Sequence, residues 1–169
     1  MEAVKLHSLS LKESRTYLFA ALFVVGNIVL PQLFHLIPQG GFIFLPIYFF
    51  TLIGAYKYGL RVGLLTALLS PVVNSLLFSM PAVAALPVLL VKSSLLAVCA
   101  ALVAKRYQKV SVLLLLGVVV GYQLMGSLFE WAYTGSLQAA LQDVRMGIPG
   151  LLLQIVGGYA VLRLLNNRL

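Results

Sequence analysis

Lys92 is the residue whose position in this chain most requires a chemical explanation. It lies in a long apolar and uncharged run, with the turn at Pro81 before it and Lys105 after it. At 1.5 Å per helical residue, each of these lies roughly 16–20 Å away, further than a lysine side chain reaches. A lysine at that depth in a membrane costs roughly 2.5–3.5 kcal/mol. The ammonium must therefore face a polar interior.

The sequence leaves two explanations for this lysine open. The ammonium can be satisfied internally, by an ion pair with Glu130 or Asp143 or by hydroxyls and helix carbonyls. Alternatively, it can bind an anionic or electron-rich group of a ligand through a charge-assisted hydrogen bond. An internal pair predicts that Lys92→Met destabilises the ligand-free protein. A ligand contact predicts unchanged stability and weaker binding, and we adopt it as the prediction.

Other polar side chains fall at a similar depth in the neighbouring apolar segments. Gln123, Ser127 and Glu130 are spaced i, i+4 and i+7, which places them on one face of a helix. Trp131 follows Glu130 in the sequence. It can contribute to the binding site on this face, or it can act as an interfacial anchor. We predict a substrate-binding pocket in the outer half of the protein, formed by Lys92, Asn74, Gln123, Ser127, Glu130, Trp131 and Gln154.

The composition shows what kind of scaffold must position these residues. Of 169 residues, 62% are hydrophobic and 9% are charged, whereas roughly a quarter are charged in a soluble domain. Each apolar segment is near the roughly 20 residues that cross a bilayer. We predict one all-α integral membrane domain over residues 1–169, a compact six-helix bundle. Its cytoplasmic tail is 1–15, and its helices are about 16–36, 42–58, 61–79, 82–104, 110–133 and 137–165.

The basic residues predict the orientation of this bundle. Six crossings leave ten of the twelve lysines and arginines on one side, only Arg145 on the other, and Lys92 inside. Because positive residues concentrate in cytoplasmic loops, both termini are predicted to be cytoplasmic. The ten are Lys5, Lys12, Arg15, Lys57, Arg61, Lys105, Arg106, Lys109, Arg163 and Arg168.

Several catalytic and cofactor motifs do not occur in the sequence. It contains no G-x-x-x-x-G-K-[ST] for nucleotide phosphates, no H-E-x-x-H for zinc and no G-x-S-x-G for a nucleophilic serine. Its four acidic residues include two in the N-terminal tail, and Cys99 is the single cysteine. We predict neither an enzyme nor a site for a cofactor or a metal.

The layout of the chain resembles a known family, the substrate-binding S components of energy-coupling factor (ECF) vitamin transporters. The likeness includes the size, the six helices, and a glycine-rich outer loop leading into Gly41-Phe-Ile-Phe-Leu-Pro46. The best local match is Gly54-Ala-Tyr-Lys-Tyr-Gly-Leu-Arg-Val-Gly63. The resemblance implies a subunit of a bacterial or archaeal cell membrane that captures a vitamin or vitamin precursor. Its partners would be a membrane coupling subunit and two cytoplasmic ATPase subunits.

The same resemblance suggests where the coupling subunit docks. The first helix of the family typically presents an Ala-x-x-x-Ala face to that subunit, whereas here Val24 follows four residues after Ala20. Small residues permit close helix contacts in lipid, and the predicted docking residues are Thr16, Ala20, Gly59 and Gly63. The alternative function, from another class, is a non-transporting six-helix membrane protein, either an assembly factor or a small membrane enzyme.

Overall fold

The structure is a computed structural model that describes the backbone of residues 2–3 and 7–168 and the side chains of residues 7–166. The described helices are α1 (Ser14–Phe34), α2 (Gly40–Phe44), α3 (Phe49–Tyr58), α4 (Leu60–Phe78), α5 (Leu86–Tyr107), α6 (Val112–Thr134), α7 (Leu137–Ala140), α8 (Gln142–Met146), α9 (Ile148–Leu152) and α10 (Gly158–Arg168). Turns of 3₁₀-helix lie at Pro46–Tyr48 and Val83–Ala85, and a π-helical turn, Leu153–Gly157, joins α9 to α10. Two-residue strands β1 (Glu2–Ala3) and β2 (Lys109–Val110) pair antiparallel.

Among the described residues, five helical stretches are long and apolar enough to cross a membrane. They are Ser14–Phe34, Leu60–Phe78, Val83–Tyr107, Val112–Thr134 and Ile148–Asn166. Four of them match predicted segments to within a few residues at each end. The protein is therefore an all-α membrane protein with several membrane-spanning helices, as predicted.

The second predicted segment, 42–58, is not one continuous helix. Leu45 adopts the left-handed conformation, with φ of 45°, and the next residue, Pro46, has no backbone N–H to donate. The segment is therefore divided into α2, a 3₁₀ turn and α3. The ten residues of α3 are fewer than the roughly 20 that cross a bilayer unaided.

The sixth predicted segment, 137–165, is interrupted as well. Helix α8 ends before Gly147, and α9 begins at Ile148 with Pro149 in its first turn, where the missing N–H is tolerated. The spanning part therefore starts near Ile148. The preceding short helices α7 and α8 form a separate segment, and Asp143 belongs to it.

Helix α3 lies at the centre of the bundle, and it packs against α1, α4 and α5. All its residues except Phe50 are buried. Small residues permit this enclosure, because a Cβ added at Gly63 would overlap that of Ala55, and one added at Gly54 would lie 3.0 Å from the Phe23 ring. Close approach of backbones is how helices pack without a hydrophobic driving force in lipid.

A buried hydrogen-bond network connects α1, α3 and α4. The Asn27 amide donates to the hydroxyls of Thr51 (3.0 Å) and Ser70 (3.1 Å). Its carbonyl oxygen accepts from the backbone N–H of Phe50 at 3.1 Å, one of the first-turn amides that have no partner within a helix. Asn74 Nδ2 donates to the backbone oxygen of Asn27 at 2.9 Å. Asn27, on α1, therefore satisfies groups from two other helices, α3 and α4, at once.

Three segments meet at one end of the molecule, here called the basic end: residues 7–13, 57–61 and 107–111. The His7 N–H donates to the Lys57 carbonyl at 2.9 Å, and the Tyr56 hydroxyl donates to the Lys109 carbonyl at 2.6 Å. Since α1, α4 and α6 all begin there, the segments that follow them lie at the opposite end. Lys57, predicted to mark the cytoplasmic end of the segment 42–58, lies in the last turn of α3 and is buried.

Candidate functional site

Lys92 forms an ion cluster with Glu130 and Asp143, contributed by α5, α6 and α8. The lysine Nζ lies 2.5 Å from Glu130 Oε2 and 2.8 Å from Asp143 Oδ2. The lysine side chain is 2% exposed, and those of the two acids are 15% and 14% exposed. Internal pairing, the first of the two explanations for Lys92, is thus present with both candidate acids. The second explanation, contact of Lys92 with a ligand, stays a prediction.

Within α5, the cluster lies in the first two turns. Helix α5 begins at Leu86, six residues or about 9 Å of helix before Lys92. The residues Val83–Ala85, between Pro81 and this helix, form a 3₁₀ turn. Asp143 lies outside the five long apolar helices.

Gly126 makes room for the lysine against α6. A Cβ added there would lie 2.7 Å from Cγ of Lys92 and 3.4 Å from its Cδ. The aliphatic part of the lysine therefore lies directly on the α6 backbone. Gly126 was not among the predicted site residues, although its position three residues after Gln123 and four before Glu130 puts it on the predicted face.

A chain of polar side chains extends from the ion cluster into the core. Gln123 Nε2 lies 3.5 Å from Asp143 Oδ2 and 3.4 Å from the Tyr122 hydroxyl. That hydroxyl donates to Gln154 Oε1 at 2.9 Å, and Gln154 lies in the π turn. The Tyr48 ring packs against Tyr122 with centroids 5.7 Å apart. Sequence analysis missed Tyr48, because no periodic pattern marks the broken segment in which it lies.

Several buried polar atoms on α5, on α6 and in the π turn lack a hydrogen-bond partner among the described residues. They are Gln123 Oε1, Ser127 Oγ, Gln154 Nε2 and Ser93 Oγ, and all are buried. Most buried polar atoms in native proteins have at least one partner. These four atoms are therefore candidates for contacts with a polar solute. Ser93 was also missed, although it directly follows Lys92 in the sequence.

Two predicted site residues lie apart from the ion cluster. The Asn74 amide is directed to α1, where it donates to the Asn27 carbonyl, and no hydrogen bond in the described structure connects it to Lys92. Trp131 is 48% exposed, as expected for an interfacial anchor. The structure brings Lys92, Glu130, Gln123 and Gln154 together, and Ser127 lies on the same α6 face. Ligand binding by these residues stays a prediction.

The four predicted docking residues contribute mainly to internal contacts. Thr16, Ala20 and Gly63 are buried within the chain. Gly59 is half-buried with φ of 95°, and a Cβ there would lie 3.1 Å from the His7 carbonyl oxygen. In this conformation the first three offer no free surface to a partner helix.

An open depression of about 560 Å³ lies beside α7 and α8. It is lined by Ser136, Gln138, Ala139, Gln142, Arg145 and Met146. None of these belongs to the ion cluster, so the depression is not a pocket of that cluster.

The described residues contain no group of three or more His, Cys, Asp or Glu side chains placed to hold a metal ion. Comparison with known proteins adds no assignment, because no protein-family model, curated protein or solved structure matches the chain.

Proposed function

We propose that this chain is the solute-binding S subunit of an ECF-type importer, resident in a bacterial or archaeal cell membrane. In this proposal it captures a small vitamin or vitamin precursor from outside, at the end opposite the basic end. A membrane coupling subunit and two cytoplasmic ATPase subunits supply the energy for transport. The chain itself performs no catalysis.

The observation that carries this proposal is the polar chain that begins at the ion cluster. Charged and amide side chains within a membrane bundle are costly, and they usually mark a path or a site for a polar solute. Here they lie near one end, and the acids are partly exposed, so a solute arriving from that end can reach them. The unpartnered atoms of Gln123 and Gln154 offer further hydrogen bonds to orient it.

The proposed topology has six crossings with both termini in the cytoplasm. Five crossings are the long helices. The remaining crossing, second along the sequence, consists of α2, the 3₁₀ turn and α3, which start at the end opposite the basic end and finish at the basic end. Cysteine labelling in intact cells tests this arrangement in a Cys99→Ala background. We expect a membrane-impermeant maleimide to label Gln138→Cys but not Gln108→Cys. The reverse labelling would contradict the proposed orientation.

Binding and partnership are tested on the full chain purified from its native membranes. Native mass spectrometry should detect a retained small molecule, and affinity purification should recover ATPase subunits. Gln123→Leu should weaken solute binding by about 2- to 12-fold, the equivalent of one neutral hydrogen bond. Met125→Leu, on the exposed surface of the same helix, is the matched control and should leave affinity unchanged. A chain that retains no solute and recovers no ATPase subunit would contradict the proposal.

One observation favours the alternative, a non-transporting membrane protein. Lys92 already has two internal partners, so its burial needs no solute to explain it. In this alternative the ion cluster only stabilises the fold. Gln123→Leu would then change the melting temperature, and no bound solute would be detected in either the parent protein or the variant.

A further inference from the structure

The ion cluster contains more negative than positive charge. One ammonium faces two carboxylates, which gives a net charge of −1 when all three groups are ionised. The other charged residue at this end, Arg145, is exposed and pairs with neither acid in the described structure. It lies two residues after Asp143 on α8, a spacing that places side chains on different faces of a helix.

Hydrogen-bond acceptors also outnumber donors in the cluster. The two carboxylates present four oxygen atoms, whereas the lysine has three N–H groups, and its Nζ lies within 2.8 Å of one oxygen of each acid. Gln123 is 5% exposed, its amide nitrogen is directed to Asp143, and its Oε1 is a buried acceptor with no partner among the described residues. The group that would satisfy these atoms is a donor.

The relative burial of the three charged side chains also favours a positively charged partner. Lys92 is almost fully buried beneath the two partly exposed acids. A solute that approaches from the exposed side therefore meets the carboxylates before the ammonium. An anion would meet repulsion there, whereas a cation would neutralise the excess charge.

We infer that the solute bound at this cluster is an organic cation with N–H donors, of the amine or amidine class. The inference rests on the proposed solute-binding function, and it replaces the sequence-based expectation of an anionic ligand. Glu130, Asp143 and Gln123 accept hydrogen bonds from the cation. Lys92 stays paired and keeps both carboxylates in place.

Two probes of the same shape and opposite charge test this inference: benzamidinium and benzoate. Each is added at equal millimolar concentration to the full-length protein in nanodiscs, and the melting temperature is recorded. We expect benzamidinium to raise it and benzoate to leave it unchanged. Glu130→Gln and Asp143→Asn each leave Lys92 with one acid, so both variants should fold, and each should weaken benzamidinium binding by roughly 10- to 100-fold. Arg145→Gln removes a charge from α8 outside the cluster and should not alter benzamidinium binding.

Three results would overturn the inference: stabilisation by benzoate equal to or greater than that by benzamidinium, no effect of either probe, or an unchanged benzamidinium effect in Glu130→Gln. Mass spectrometry of the solute released from purified protein distinguishes failure of the charge inference from failure of the proposed binding function. A released carboxylate or phosphate would refute the charge assignment and leave the binding function intact. Recovery of ATPase subunits with the chain tests that function independently.

Discussion

Replacing Lys92 with methionine is the most informative single substitution in this protein. Methionine keeps much of the aliphatic volume against α6 but removes the ammonium between Glu130 and Asp143. The two acid oxygens lie 2.5 and 2.8 Å from one nitrogen, so they are no further apart than the sum of these distances, about 5.3 Å. Two like charges at that separation repel by roughly 3 kcal/mol at an effective dielectric constant of about 20. Removing one partner of a buried pair typically costs about 3–5 kcal/mol.

The assay is thermal unfolding of the full chain in detergent or nanodiscs without added solute. For a chain of this length, about 3 kcal/mol corresponds to a fall in melting temperature of roughly 6–12 °C. Adding Glu130→Gln to Lys92→Met leaves one carboxylate and should restore part of the loss. The triple variant with Asp143→Asn removes all three charges and should come closer to the parent protein, because a neutral replacement of a buried ion cluster is often tolerated.

A Lys92→Met protein that melts within about 2 °C of the parent would refute this reasoning, since it corresponds to a change below about 1 kcal/mol. So would a double or triple variant less stable than the single one. Either result would mean that the two carboxylates do not need the ammonium, and the ion cluster would lose its structural role.

Three further predictions concern packing and the buried network, and melting temperature is the measurement for each. Asn27→Leu leaves buried donors and acceptors on two other helices without a partner and should destabilise the protein by about 3 kcal/mol or more; a loss below 1 kcal/mol would contradict the network. Gly126→Ala should displace the Lys92 side chain and cost about 1–3 kcal/mol, whereas Gly117→Ala on the same helix, with open space around it, should cost nothing. Gly63→Leu should destabilise the isolated chain. An unchanged melting temperature together with impaired uptake would instead support the predicted contact of Gly63 with the coupling subunit.

The long helices were predictable because hydropathy alone marks them. Helices α1, α4, α5 and α6 lie within a few residues of their predicted bounds, since each combines an uninterrupted apolar run with clear ends. The break at Leu45 was not predicted, because the residues on either side of it are equally apolar. The break at Gly147 was not predicted, although Asp143 and Arg145 precede it and Pro149 follows it, because a helix predicted over 137–165 averages these residues with the apolar run after them. A hydropathy pattern measures burial and length, and it contains little information about a single left-handed residue.

The candidate site was predictable where helical periodicity applies and not elsewhere. Gln123 and Glu130 lie on one α6 face, as their spacing predicts, and Gln154 reaches them through Tyr122. Asp143 was considered only as an alternative partner for the lysine, because the predicted continuous last helix gave no reason to fold it back over α5. Tertiary placement of a short surface segment has no signature in local sequence.

The π turn at Leu153–Gly157 has an evolutionary consequence. A π turn holds one residue more than the α-helical turn it replaces, so the residues after it are rotated by about 100° from where a continuous helix would place them. Deleting one residue between 153 and 157 would let the helix close as an ordinary α-helix and turn one of its halves relative to the other. Gln154 and the buried positions of α10 would then no longer face their present neighbours together. In related chains that lack one residue at this point, we expect Gln154 to be replaced. We also expect Tyr122 to be replaced by a residue without the hydroxyl that donates to Gln154.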